Sequence, residues 1–466
     1  MLGEDVLYLP VGELGARLRR REISPVELTR AYLDRSTALD PRLHAYVTLT
    51  PELALQQARE AEAEIGAGRY RGPLHGVPYA AKDLLATRGV PTTWGAKPFA
   101  SRIIDEDASV IRRLREAGAV LLGKLAMIEL AGGLGYVIPG ASLTGAALNP
   151  WDTGRWTCGS SSGSGAAVAA GMVGFAIGTE TWGSIVCPSS FCGISGLRPS
   201  FGRVSRHGAM CLSWTFDKIG PMARSAADCE TVLSALSGHD PLDDWSAEEP
   251  APVPLAPDAA RRLRVAVVRL DFGKAGEPEV EQAFLAAVAA LRAAGVTLEE
   301  ARLPELPFEE TAGLLIGAEA LASFEELFRD GRVRQLADAG APLALPAGRL
   351  ASAADYVKAS RIRTVCQQAM SDFFGRFDLL LAPSEMLTAL PADRSFEDVA
   401  WSDPVGGMGN LCGLPAASIP CGFGRDSLPV GLGIVGDAFE EAKVLALAKL
   451  YQEVSDWHRR RPPLKA

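Results

Sequence analysis

The sequence predicts an α/β protein, and three observations carry that reading. Short apolar runs bounded by Gly and Pro alternate with longer segments whose apolar residues recur at helical spacing. Forty-eight glycines and 31 prolines punctuate 466 residues, as a fold with many tight turns requires. Hydrophobic residues make up 48% of the chain and charged residues 22%, the balance of a globular protein that can bury a large core in one continuous sheet.

Residues 1–65 read as a helical outer layer. ELGARLRRREISPVELTRAYLDRSTALD places Ser24 as an N-cap with Pro25 at the first helical position, and PELALQQAREAEAEI continues the helical spacing. A core follows over residues 66–240. Within it HGVPYAAKD reads as a short buried strand and DASVIRRLREAGAVLLGKL as helix then strand. Residues 158–190, CGSSSGSGAAVAAGMVGFAIGTETWGSIVCPSS, read as a loop, the helix AAVAAGMVGFAIG and a second glycine-rich turn. The Pro- and Ala-rich SAEEPAPVPLAPDAARR marks a linker at 241–262. The lobe 263–466 then opens with the strand RVAVVRL and the amphipathic helix EVEQAFLAAVAALRAAG. It adds FDLLLAPS, PAASIPCGF and PVGLGIVGD as buried strands and AKVLALAKLYQEVSDWH as a closing helix.

Composition excludes several function classes. A net charge of −9 with no Lys/Arg run disfavours direct nucleic-acid binding. The acidic N-terminus MLGEDVLYLP is unlike a signal peptide, and the most apolar stretch is broken by glycines and too short to span a bilayer. A cytoplasmic protein acting on a small molecule, without a membrane partner, is expected. Cysteines 158, 187, 192, 211, 229, 366, 412 and 421 form no CxxC pair and no set with histidine. Buried thiols are therefore expected, with no disulfide framework, no metal and no cofactor.

Residues 158–190 pose a chemical problem: serines stand among glycines, yet no histidine occurs between His75 and His207. GSSSG formally matches GxSxG and nominates Ser161, but the polar DTGRWTC before it is not the buried strand that a nucleophile elbow needs. A phosphate cradle lacks the GK[ST] ending. A third solution is a relay. Loop–helix–loop geometry can bring Ser160 and Ser184 together, and a desolvated lysine can end the proton path because burial disfavours its charged form. Lys82, at the end of the apolar PYAAK, is the candidate; a lysine snorkelling from a sheet edge is the alternative.

At this point the chain resembles the amidase signature hydrolases, a family that includes aryl acylamidases and the A subunit of glutamyl-tRNA amidotransferase. The resemblance runs through GVPYAAKDLLATRGVPTTWGA, CGSSSGSGAAVAAG, GTETWGSI, FCGISGLRPSFGRVSRHG, DKIGPMARSAADC and NLCGLPAASIPCGF. It implies a single domain built on a large mixed central sheet covered by helices on both faces. It implies Ser184 as nucleophile, Ser160 as bridging serine behind a cis peptide, and Lys82 as terminal base. The backbone N–H groups of Thr181, Trp182, Gly183 and Ser184 would form the oxyanion hole. Three residues depart from the family pattern: Trp182 and Cys158 stand for small residues or glycine, and Val186 for an arginine. Trp182 reads as a substrate platform or a packed wall. In the glycine-rich loop 132–150, Gly132, Gly133, Tyr136 and Ile138 are candidates to line the pocket.

The implied reaction is hydrolysis of linear amides with apolar or aryl groups, extending to carbamates or esters, by a monomer or homodimer. A glutaminase component of a tRNA-dependent complex is the alternative. Arg363 and Asp403 fall roughly where such proteins bind glutamine, although an arginine in a helix and an aspartate in a loop are ordinary surface charges as well. An inactive binding homologue is disfavoured by the joint presence of Lys82, Ser160 and Ser184.

Overall fold

The structure is a computed structural model that describes residues 2–348, 351–397, 399 and 403–464. Eleven strands of the described residues form one mixed sheet. In spatial order they are Tyr46–Leu49, Val120–Leu125, Pro78–Lys82, Phe175–Glu180, Lys218–Ala223, Ser195–Arg198, Ala416–Phe423, Pro429–Gly436, Leu379–Pro383, Arg264–Val268 and Thr297–Ala301. The strand Pro78–Lys82 runs parallel to both neighbours, whereas Phe175–Glu180 through Leu379–Pro383 are joined by antiparallel ladders. Several strands are buried along their whole length, among them Pro78–Lys82, Val120–Leu125, Phe175–Glu180, Lys218–Ala223 and Leu379–Pro383. A covered sheet demands such continuous apolar runs. Helices cover both faces. A Cβ added at Gly431 would meet Ser190 of the helix Val186–Cys192, and one at Gly436 would meet Val444 of the helix Glu441–Val454. These two glycines are five apart on one strand, so they point to opposite faces.

The N-terminal layer differs from the sequence reading in one element. Ser24 caps the helix Pro25–Leu43 by accepting from the N–H groups of Val26 and Glu27, but Tyr46–Leu49 leaves the layer and becomes an edge strand antiparallel to Val120–Leu125. His44, at φ 50°, breaks the helix, and the Asp40 carboxylate accepts from the N–H groups of Ala45 and Tyr46. AAVAAGMVGFAIG likewise divides. The helix Ser162–Ala169 stops before Gly171, which has φ 66°, and Phe175–Glu180 is a strand.

The cysteine reading is also corrected. Cys158 and Cys187 are joined by a disulfide with their Cα atoms 5.9 Å apart, and Cys211 is only half-buried. The two bonded cysteines are 29 residues apart, and the chain between them contains a helix and a strand that fold back on each other, so linear spacing hides the approach.

Candidate active site

Two parallel neighbours deliver the chemistry to one end of the sheet, where both strands finish. Lys82 is the last residue of Pro78–Lys82, and Glu180 ends the adjacent Phe175–Glu180. The turn 181–185 therefore leaves the sheet beside the lysine. The loop 157–161 reaches the same place from the helix Ser162–Ala169, whose start lies against the chain at Ala126. Gly163 donates to Ala126 O at 2.9 Å, and a Cβ there would sit 2.2 Å from Ala45 O. Only glycine permits that approach, which explains the second glycine of GSSSG without a nucleophile elbow.

Ser161 is held in the fold. Its Oγ donates to Thr179 O at 3.1 Å and accepts from Thr179 N at 3.3 Å, and the residue is fully buried. Ser160 follows the cis peptide Gly159–Ser160 and faces the other way. Lys82 Nζ donates to Ser160 Oγ at 2.8 Å, and Ser160 Oγ donates to Ser184 Oγ at 3.0 Å. Thr179 completes the lysine's shell, its Oγ1 accepting at 2.9 Å and its carbonyl at 3.3 Å. Because hydroxyl groups both donate and accept, this chain can carry a proton in either direction.

Burial with no carboxylate in contact pushes the Lys82 ammonium down from 10.5 to about 7, against the weaker opposing pull of Asp217 and Glu180. The neighbouring buried Lys124 is different: it lies 3.2 Å from the Asp83 carboxylate and donates to Thr92 Oγ1. Of these two lysines, Lys82 is the one fitted to give and take a proton near neutrality.

Around the turn, Glu180 acts as an anchor. One carboxylate oxygen accepts from the N–H groups of Ile185 and Val186 at 2.8 and 3.0 Å; the other accepts from Arg198 at 2.8 Å and Asn410 at 3.1 Å. Burial alone would raise this acid, but Arg198, Lys218 and the hydrogen bonds hold it at about 2. Thr181 Oγ1 donates to Asp217 at 2.6 Å, and Asp217 also accepts from the N–H groups of Leu212 and Ser213. Burial nevertheless raises the Asp217 carboxyl. Gly183 takes φ 75°. Among the described residues, the N–H groups of Trp182, Gly183 and Ser184 donate to no intramolecular acceptor, which leaves them able to meet an oxyanion.

Two of the three departures from the family pattern sit on ordinary backbone, and the third does not. Trp182 is absent from the left-handed region, so its bulk sits on ordinary backbone. Its Nε1 donates to Asp403 Oδ2 at 3.2 Å, and its ring packs against Gly407. Burial and the nearby Glu180 raise Asp403 to about 7. Val186 is buried with Phe216 and Met408. Cys158 has φ 65°, a conformation that favours glycine.

Tyr136 packs edge-on against Trp156, and its hydroxyl lies where a Cβ on Gly159 would be 2.7 Å away. The loop thus touches the segment that carries Ser160. Gly132 lies under the Tyr136 ring, whereas Gly133 packs toward Phe324 and Leu212. Ile138 is half-buried, and its carbonyl accepts from Ala141. Arg363 donates to Leu411 O, Thr215 O and Thr215 Oγ1 at 2.7 to 3.0 Å. Thr179, Glu180, Arg198, Asp217 and Asn410 escaped the sequence reading. Their signal was present for the first two, since GTE closes an otherwise apolar run.

The sheet defines a mixed α/β protein with a buried lysine and two serines in hydrogen-bond contact at one end of it. The chain belongs to the amidase family, whose profile matches residues 27–445. It is 39% identical to the A subunit of glutamyl-tRNA(Gln) amidotransferase from Moorella thermoacetica over 99% of both chains. Among solved structures it is similar to the peptide amidase of Stenotrophomonas maltophilia, with 33% identity, a TM-score of 0.87 and 99% of each chain covered. It is also similar to a bacterial aryl acylamidase, with 25% identity, a TM-score of 0.84 and 98% of each chain covered. No described helix is long and apolar enough to cross a membrane.

Proposed function

We propose that the protein hydrolyses the C–N bond of linear amides through an acyl-enzyme on Ser184. The observation that carries this reading is the unbroken contact from Lys82 through Ser160 to Ser184, with the lysine brought down to about 7. Neutral Lys82 takes the Ser160 proton, Ser160 takes the Ser184 proton, and the Ser184 oxygen forms its bond to the carbonyl carbon. The carbonyl π electrons move to oxygen, where the N–H groups of the 181–184 turn receive the charge. Collapse of the tetrahedral adduct breaks the C–N bond as Ser160 returns a proton to the leaving amine. Water then attacks the ester by the same relay and regenerates Ser184. The sheet draws strands from residues 46 to 436, which supports treating residues 1–466 as one working unit.

Apolar or aryl amides, and by the same tetrahedral chemistry carbamates and esters, suit this site. A cavity of about 240 Å³ reaches Thr179 and Thr181 beside the relay, and its lining combines the apolar Leu84, Met210, Leu212 and Ile219 with the charged Arg206 and Asp217. A second reading is favoured by the 39% identity to an amidotransferase component: release of ammonia from glutamine within a tRNA-dependent complex. Arg363 weighs against it, because three of its five N–H groups are already bound to Leu411 and Thr215, which fixes the guanidinium in the fold. Turnover of anilides, aliphatic amides, carbamates, esters and glutamine by the purified chain, with Ser184→Ala as control, decides between them. Anilide turnover lost in Ser184→Ala supports the hydrolase; turnover of glutamine alone supports the second reading.

A further inference from the structure

We infer that the Cys158–Cys187 disulfide is a positioning device for the relay, holding the Ser160 loop and the Ser184 turn at proton-transfer distance; the inference rests on the Ser184 reading above. Cys158 precedes Ser160 by two residues and Cys187 follows Ser184 by three, so the bond joins the two serine-bearing turns beside the reacting hydroxyls.

Among the described residues, few hydrogen bonds join the two turns themselves. The Ser160 loop lies outside the sheet. Its hydrogen bonds to the Ser184 turn are Ser161 N to Ser184 O at 3.3 Å and the relay contact itself; the Ser161 pair with Thr179, a Cys192 Sγ to Thr157 O bond at 3.7 Å and packing at Gly165 tie only the flanking strand and helices. A one-ångström slip between the turns would break a 3.0 Å contact, and misplacement of that size is enough to suppress chemistry.

The conformation of Cys158 points the same way. At φ 65° a residue with a Cβ is disfavoured and glycine is at ease, so what the cysteine contributes here is its sulfur. Both cysteines are nearly inaccessible, 1% and 2% exposed, in a cluster with Ile128, Trp156 and Phe191.

The test compares the oxidised chain with the chain reduced by a trialkylphosphine, which attacks one sulfur and breaks the S–S bond; water then supplies the oxygen of the phosphine oxide and the hydrogens of the two thiols. A second comparison is the variant Cys158→Gly/Cys187→Ala, in which glycine fits the backbone. The number of new thiols is counted by mass after alkylation. The expected result is a fall in kcat of about 10- to 100-fold with KM within about twofold and unchanged near-ultraviolet circular dichroism. Reoxidation with a disulfide restores the reduced wild type and leaves the double variant impaired. Equal kcat in oxidised and reduced chains overturns the inference, and so does a loss that tracks loss of tertiary structure. Ser184→Ala, run beside them, separates the two claims: residual turnover in that variant refutes the nucleophile assignment, whereas a dead Ser184→Ala with redox-insensitive wild type refutes only the clamp.

Discussion

Lys82 is the group whose perturbation yields the sharpest numbers. Its ammonium falls from 10.5 to about 7 because it is fully buried, and no solvent screening discounts the effect. A lysine left at its ordinary value would be neutral in about one molecule in 3,000 at pH 7, whereas here about half are neutral. At about 1.36 kcal/mol per pH unit, keeping this amine in the fold costs about 4 kcal/mol at pH 7. The folded pKa lies below the unfolded one, so the unfolded chain binds more protons between pH 7 and 10.5, and stability must rise with pH through that window. Lys82→Met removes the titration. Denaturant unfolding of both proteins is expected to show the wild type gaining about 2 kcal/mol on the variant between pH 7 and 9. In parallel, wild-type kcat/KM falls about tenfold per pH unit below 7 as Lys82 protonates, and Lys82→Met has no measurable turnover. Stability curves that stay parallel from pH 7 to 9, or a kcat/KM profile flat down to pH 5, would refute a buried neutral lysine as the terminal base.

Three further outcomes follow from the same contacts. Asp217→Asn removes a negative charge that holds Lys82 up, so the acid limb of kcat/KM shifts to lower pH, checked against wild type across pH 5–9. Glu180→Gln leaves the buried Arg198 without its anion and is expected to cost about 3 kcal/mol of stability by denaturant unfolding, part of which Arg198→Met in the same chain recovers. Trp182→Phe loses the bond to Asp403 and the part of the ring that reaches Gly407 but keeps an aromatic wall, and kcat stays within a few-fold. Trp182→Ala also opens the wall against Gly407 and lowers the preference for anilides over small aliphatic amides by about tenfold.

What the sequence discloses about this molecule depends on whether a residue's role is local. Lys82 stands out because a lysine closes the apolar PYAAK, a pattern that equally fits a lysine snorkelling from a sheet edge, and its burial is visible only in the structure. Ser160 and Ser184 are legible because each stands in its own glycine-rich turn, and the missing histidine forces the question of where their protons go. Ser161 attracts attention by pattern, and only its bonds to Thr179 show it to be structural. The strand Tyr46–Leu49 was hidden by helical segments on both sides; it forms because Asp40 and His44 end the preceding helix and Val120–Leu125 offers a free edge. Glu180, Arg198 and Asn410 come from segments 18 to 230 residues apart, and no periodicity announces such a meeting. The disulfide is of the same kind, with the added clue that Cys158 occupies a glycine-like conformation.

The central claim, that Ser184 is a nucleophile driven by Ser160 and Lys82, is tested most directly by mapping the adduct of a fluorophosphonate by mass spectrometry. One adduct per chain is expected, on Ser184, formed faster as pH rises through 7 and slowed at least 100-fold in Lys82→Met and Ser160→Ala. An adduct on Ser160 or Ser161, or a Ser184→Ala variant that still turns over amides, would contradict it.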